Sequence, residues 1–118
     1  MANEVKADIT LSVNKDGVTT SIGVSQTYDA VGPRVKGIMT VDSDTALVDL
    51  AGVNPQNAVI AIRAAVGGLT VFSDSDATKA LSYLKEGDSV LLLRLDNTSM
   101  YVAADTVATF EFEAVEIV

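Results

Sequence analysis

Between Val5 and Asn14 the chain alternates without a break: Val5, Ala7, Ile9, Leu11 and Val13 are apolar, with Lys6, Asp8, Thr10, Ser12 and Asn14 between them. Side chains on a strand point to opposite faces in turn. This period of two therefore predicts a strand with one buried face and one wet face, a pattern that no helix carries. Asn14-Lys15-Asp16-Gly17 comes next, and Asp-Gly supplies the positive φ angles that a tight hairpin turn demands. Beyond it Val18, Ile22, Val24 and Tyr28 take alternate positions, with Thr19, Ser21, Ser25 and Thr27 opposite. The chain is expected to open with a long β-hairpin, and the rest of the fold must be compatible with one.

Beyond Gly32-Pro33 the strand signals shorten but keep their kind. Val35, Met39 and Val41 mark a strand ended by Asp42-Ser43-Asp44, and TALVDL (45–50) marks another, ended by AGVNPQN, where Asn54-Pro55 stops any strand. AVIAIRAAV (58–66) meets LTVFS (69–73) across Gly67-Gly68 as a second expected hairpin; ALSYL (80–84) and VLLLRL (90–95) make a third across KEGDS. MYVAA and ATFEFEAVEIV complete the set. In the last segment Phe110 and Phe112 share one phase and Val115 and Ile117 the other, which predicts a bulge, or a change of buried side, at Ala114-Val115. Residues 77–88 also admit a short helix, with Asp76 as N-cap and Gly87 as stop. About eight to ten short strands separated by turns predict an all-β fold: an antiparallel β-sandwich, jelly-roll-like, in a single domain over 1–118, with a small closed barrel as the alternative.

Composition limits the partners. With 118 residues, 48% apolar and 20% charged, the chain can enclose a core and lacks the profile of a disordered segment. Sixteen acidic residues against eight basic ones give a net charge of −8, a field that repels nucleic-acid phosphates and anionic lipid. Neither nucleic acid nor membrane is an expected partner. There is no cysteine and no histidine, so disulfides, thiolate nucleophiles and imidazole ligands or bases are excluded. Polar residues occupy MANEVKADIT where a secretory signal needs an apolar run, and no eighteen apolar residues occur together, so the sequence reads as that of a soluble protein made in the cytoplasm.

The residues with potential site chemistry are few. Asp42-Ser43-Asp44 and Ser73-Asp74-Ser75-Asp76 lack the turn glycine and late glutamate of a dedicated calcium loop. Asp and Ser also close turns by bonding their own backbone, so both stretches are expected to end strands, with a shared cation site as the alternative. As a carboxylate pair for glycoside hydrolysis they would need a cleft between them, and spacing along the chain does not supply one. No G-x-S-x-G occurs, and a serine nucleophile would have only lysine or a carboxylate as base. No catalytic, cofactor-binding or metal-binding residue is assigned, and no enzyme activity is expected. Arg63 and Arg94 interrupt apolar strands; each is read as half of an ion pair, with Glu111 or Glu113 as partner, as an interface contact, or as a residue on the wet face. From Asp96 to Val118 there are five acidic residues and no Lys or Arg, whereas Arg34 and Lys36 flank one strand. Arg34, Lys36, Arg63 and Arg94 are the candidate interface contacts.

Small β-chains of this kind commonly act through sheet faces and edges. The polar MANE start, the alternating hairpin through NKDGVTTSIGVSQTY, the late LKEGDSVLLLRL and the closing ATFEFEAVEIV together resemble the layout of small virion proteins of tailed bacteriophages, most of all the capsid decoration or cement proteins. That resemblance implies a structural protein that binds the outside of the major capsid protein lattice and braces it, as a dimer or trimer, located on the virion surface after synthesis in the host cytoplasm. It transfers no individual residue. The alternatives are a phage tail, fibre or adhesion-type binding module and, more distantly, a small carboxylate-dependent hydrolase.

Overall fold

A computed structural model describes residues 5–117; the MANE start and Val118 lie outside the described residues. The described residues resolve into two compact units, 5–31 with 117 and 32–116. The first holds the opening hairpin, β1 (Val5–Lys15) and β2 (Val18–Tyr28). Its register runs unbroken from Val5↔Tyr28 to Lys15↔Val18, and Asp16 and Gly17 both have positive φ (55° and 79°), as the expected turn requires. On one face Lys6 pairs with Asp8 (3.7 Å) and the Ser25 hydroxyl donates to the Asp8 carboxylate (2.5 Å).

The second unit is an antiparallel jelly roll. Its strands are β3 (Ala30–Asp42, entering from the first unit), β4 (Ala46–Leu47), β5 (Ala58–Val66), β6 (Leu69–Phe72), β7 (Ala80–Leu84), β8 (Ser89–Leu93), β9 (Tyr101–Ala104) and β10 (Val107–Ile117). They form two four-stranded sheets ordered β3-β10-β5-β8 and β4-β9-β6-β7. Each chain segment but one crosses to the opposite sheet, and the exception is the β6–β7 hairpin. This is the double Greek key that keeps both inner faces on one core. Ile60, Ile62 and Phe110 from one sheet meet Leu69, Val71 and Val102 from the other, and all are buried. Phe110 and Phe112 share a face two residues apart, with ring centroids 5.8 Å apart at 41°.

Two expected hairpins are corrected by this order. Gly67-Gly68 and the KEGDS segment do not join partners in one sheet: β5 and β6 lie in opposite sheets, as do β7 and β8. Gly67 instead turns a corner. Its φ is +75°, and a Cβ there would lie 2.3 Å from the Val107 carbonyl oxygen. At the other corner Gly87 (φ 92°) donates to the Ala64 carbonyl (2.6 Å), and the Asp88 carbonyl accepts from the Ala64 amide (2.9 Å), which delivers the chain onto β5. Residues 77–88 form strand β7 and this turn, so the short helix does not occur; tertiary pairing with β6 overrides the local helical spacing.

The strand expected at 90–95 ends at Leu93, because Arg94 has φ 56° and its amide turns to the Ala58 carbonyl (3.0 Å). The register of β10 against β5 shifts between Thr109 and Phe110, and it runs evenly through Val115↔Val59. No bulge therefore lies at Ala114-Val115, and the other expectation for that point, a change of buried side, is the one met. The change in burial phase does occur: Phe110, Phe112 and Ala114 are buried, then Ile117.

Candidate functional site

The D-S-D stretches are turn chemistry. Asp42 accepts from the Asp44 amide (2.8 Å) at the end of β3. Asp74 closes the β6–β7 hairpin: its carboxylate accepts from the amides of Thr78 (3.1 and 3.2 Å) and Lys79 (2.9 Å) and from the Thr78 hydroxyl. The Thr78 hydroxyl, more than any other group, holds the Asp74 carboxyl below the ordinary carboxylate value; the Lys79 and Thr78 amides and the Lys79 ammonium add to this, and desolvation opposes it. Nearby, Lys79 reaches Asp96 (3.8 Å), and the Asn97 amide donates to the Ser73 carbonyl (2.7 Å). Ser73 is buried, and its hydroxyl has no partner among the described residues. Ser-x-x-Lys spacing occurs at Ser12–Lys15 and Ser82–Lys85, but both lie along or at the end of strands, where residues three apart point to opposite faces. Neither spacing brings a serine to a lysine.

Three of the four candidate contact residues lie on the outer face of the β3-β10-β5-β8 sheet. Arg34 and Lys36 are exposed on edge strand β3, and Arg63 is exposed on β5. Arg63 sits between Glu111 and Ser89 in the register. Lys36, Arg63, Glu111 and Glu113 line one shallow depression of about 230 Å³. Among the described residues no ion pair ties Arg63 to Glu111 or Glu113. Arg94 is not part of this group, since it follows β8 beside Ala58, five positions along β5 from Arg63, or roughly 17 Å at strand rise.

The largest departure from the sequence reading lies in the opening hairpin. Alternation predicts a buried aliphatic face, yet Ile9 is 52% exposed, Leu11 61%, Val13 49%, Val18 63% and Ile22 69%. Leu11 and Ile22 are Cα partners, so they stand side by side on that face. The period of two reveals that a face is apolar, not what covers it. The available signal is the length of the hairpin itself, because an isolated two-stranded ribbon is marginal in water unless its apolar face finds a partner.

No family model matches the chain, and no curated protein matches it. Solved structures do. Ethanolamine utilization protein Q from Salmonella typhimurium is 16% identical with a TM-score of 0.48, covering 97% of this chain and 99% of that one. The cupin domain of Cnp3 from Schizosaccharomyces pombe is 7% identical with a TM-score of 0.48, covering 92% and 87%. A disulfide-linked pilus protein of Bacillus endospore appendages is 13% identical with a TM-score of 0.43, covering 100% and 95%. At these scores and identities the likeness carries no functional argument. The jelly-roll assignment rests on the strand order itself.

Proposed function

We propose that this chain is a structural assembly protein, with the jelly roll as its body and the β1–β2 hairpin as an association arm, and that it decorates the outside of a phage capsid lattice. The observation that supports this reading is the exposed aliphatic face of the hairpin. A row of five large aliphatic residues left about half or more in water is at the upper end of what a monomer tolerates, roughly 500 Å². Such a face is an interaction surface. On a repeating lattice a modest contact per copy sums to a large stabilisation of the shell through multivalency. The outer face of the body adds Arg34, Lys36 and Arg63 to a chain that is otherwise strongly acidic, and with Arg94 these residues would contact acidic rims on the major capsid protein.

The test is to follow the chain through a density gradient of lysate from its natural source, with particle fractions checked by electron microscopy. It should travel with intact heads and with tail-less heads at a fixed ratio to the major capsid protein. Recovery only at the top of the gradient would refute the capsid role. Recovery only with free tails would favour a tail or fibre module instead.

A further inference from the structure

We infer that the aliphatic face of the β1–β2 hairpin is a self-association surface whose occupant is the same face of a second copy of this chain. The inference rests on the reading of the hairpin as an association arm; with that face paired between copies, contact with a capsid falls to the body, and the density gradient tests that contact separately.

The first argument is charge. Residues 5–28 contain Lys6, Lys15, Asp8 and Asp16, which cancel, so the net charge of −8 is carried wholly outside the hairpin. Copies of so acidic a chain repel one another through their bodies. The arm is the neutral region, and with Lys15 at the turn end of the aliphatic face two arms laid antiparallel can meet without bringing like charges together. A basic partner would instead be drawn to the acidic body, and an acidic one would gain nothing from the arm.

Geometry is the second. Along the even-numbered β1 positions the cross-strand pairs are Asp8↔Ser25, Thr10↔Gly23, Ser12↔Ser21 and Asn14↔Thr19. That face is polar, and its Lys6–Asp8–Ser25 bonding leaves it suited to water. The opposite face carries Ile9, Leu11, Val13, Val18 and Ile22, with Thr20 beside Val13, Gln26 toward the open end and Lys15 at the turn end. Two such ribbons stacked apolar face to apolar face form a four-stranded sandwich about 10 Å thick. The pairing is isologous, because the same patch serves both copies.

Area is the third. If each copy contributes roughly 500 Å², the pair removes roughly 1,000 Å² from water, which reaches the lower bound of a specific interface and exceeds most adventitious contacts. It also gives each ribbon the second layer that an isolated hairpin lacks.

The experiment is sedimentation velocity of the full chain over a wide concentration range, beside Leu11→Thr/Ile22→Thr and Ser12→Lys/Ser21→Lys double variants. Threonine keeps the strand propensity, so the hairpin is retained while its face loses apolar area. The wild-type chain is expected at twice the monomer mass. The threonine variant should associate more than about a hundredfold more weakly, with the circular dichroism and melting of the body unchanged, and the lysine variant should remain a dimer. A wild-type chain that is monomeric throughout overturns the inference while leaving the capsid reading to the gradient. So does dimerisation that survives the threonine changes, which would point to strand edges, or that is lost only in the lysine variant, which would point to the polar face.

Discussion

Leu11 and Ile22 face each other across the β1–β2 hairpin as Cα partners, and both remain more than half exposed. In the jelly roll the comparable positions are covered: Ile62, opposite Phe112 on β10 and Val90 on β8, is 2% exposed. One unit of the chain completes its own core. In the other, Ile9, Leu11, Val18 and Ile22 stay more than half exposed, and the functional reading rests on that contrast.

The corner at Gly67 is the position where a side chain is least tolerated. Its φ of +75° and the 2.3 Å approach to the Val107 carbonyl oxygen combine backbone strain with a clash against main chain, so Gly67→Ala should lower stability by at least about 2 kcal/mol. Gly17→Ala is the control. It has a similar φ (+79°) but nothing within 4 Å of the added Cβ, and it should cost about 1 kcal/mol. Urea denaturation of both variants measures the difference.

Edge strand β3 pairs with β10, and at Gly37 the Phe112 ring of β10 uses the space of a missing side chain. A Cβ on Gly37 would lie 2.9 Å from Phe112 Cζ. Gly37→Ala is expected to cost about 1–3 kcal/mol by displacing the ring, and Phe112→Ala about 3–5 kcal/mol by emptying the site. The double variant should cost less than the sum of the two, since the ring that the alanine displaces is gone.

Acid should loosen the β6–β7 hairpin through Asp74. Its folded-state value lies below the ordinary one, chiefly because the Thr78 hydroxyl donates to it. The carboxylate's contribution to stability is therefore complete above about pH 4 and is lost as pH falls through the folded value. Asp74→Asn should be less stable than wild type at neutral pH and should show a shallower loss of stability in acid. Thermal melts from neutral to strongly acidic pH would show the two curves converging, and parallel curves would contradict the assignment.

Alkali acts at a different point of the same sheet. The Tyr83 hydroxyl donates to Asp105 (2.6 Å), and this bond, more than desolvation, raises the phenol above its ordinary value. A raised folded value means that the bond's contribution is complete below about pH 10 and is lost as pH rises through the folded value. In an ultraviolet titration Asp105→Asn should bring this phenol's transition to lower pH. An unmoved transition would show that the bond is not formed in solution.

How far local sequence foretells this fold depends on whether the determining contact is local. Asp16-Gly17 and the alternation around it specify the first hairpin down to its register, since the turn and both strands are adjacent in the chain. Asp74 likewise reads as turn chemistry because its partners, Thr78 and Lys79, lie within five residues. Gly67-Gly68 misleads for the complementary reason. A glycine pair permits a tight reversal within a sheet and a corner between sheets equally well, and the choice is made by Val107 and Glu86, far along the chain. The exposure of the Leu11 face is hidden in the same way, because alternation records which face is apolar and is silent about cover. The positions of Lys36 and Arg63 around one depression depend on Glu111 of β10 lying between their strands, which only the strand order reveals.

The most direct measurement exploits the absence of cysteine from the chain. A single cysteine is placed at Leu11 or, separately, at Ser12, and each purified variant is treated with a thiol cross-linker of about 10 Å reach, matched to the spacing of stacked sheets. Covalent dimers are expected from Leu11→Cys and not from Ser12→Cys. Equal cross-linking from both positions, or none from Leu11→Cys, would contradict an arm that pairs through its aliphatic face.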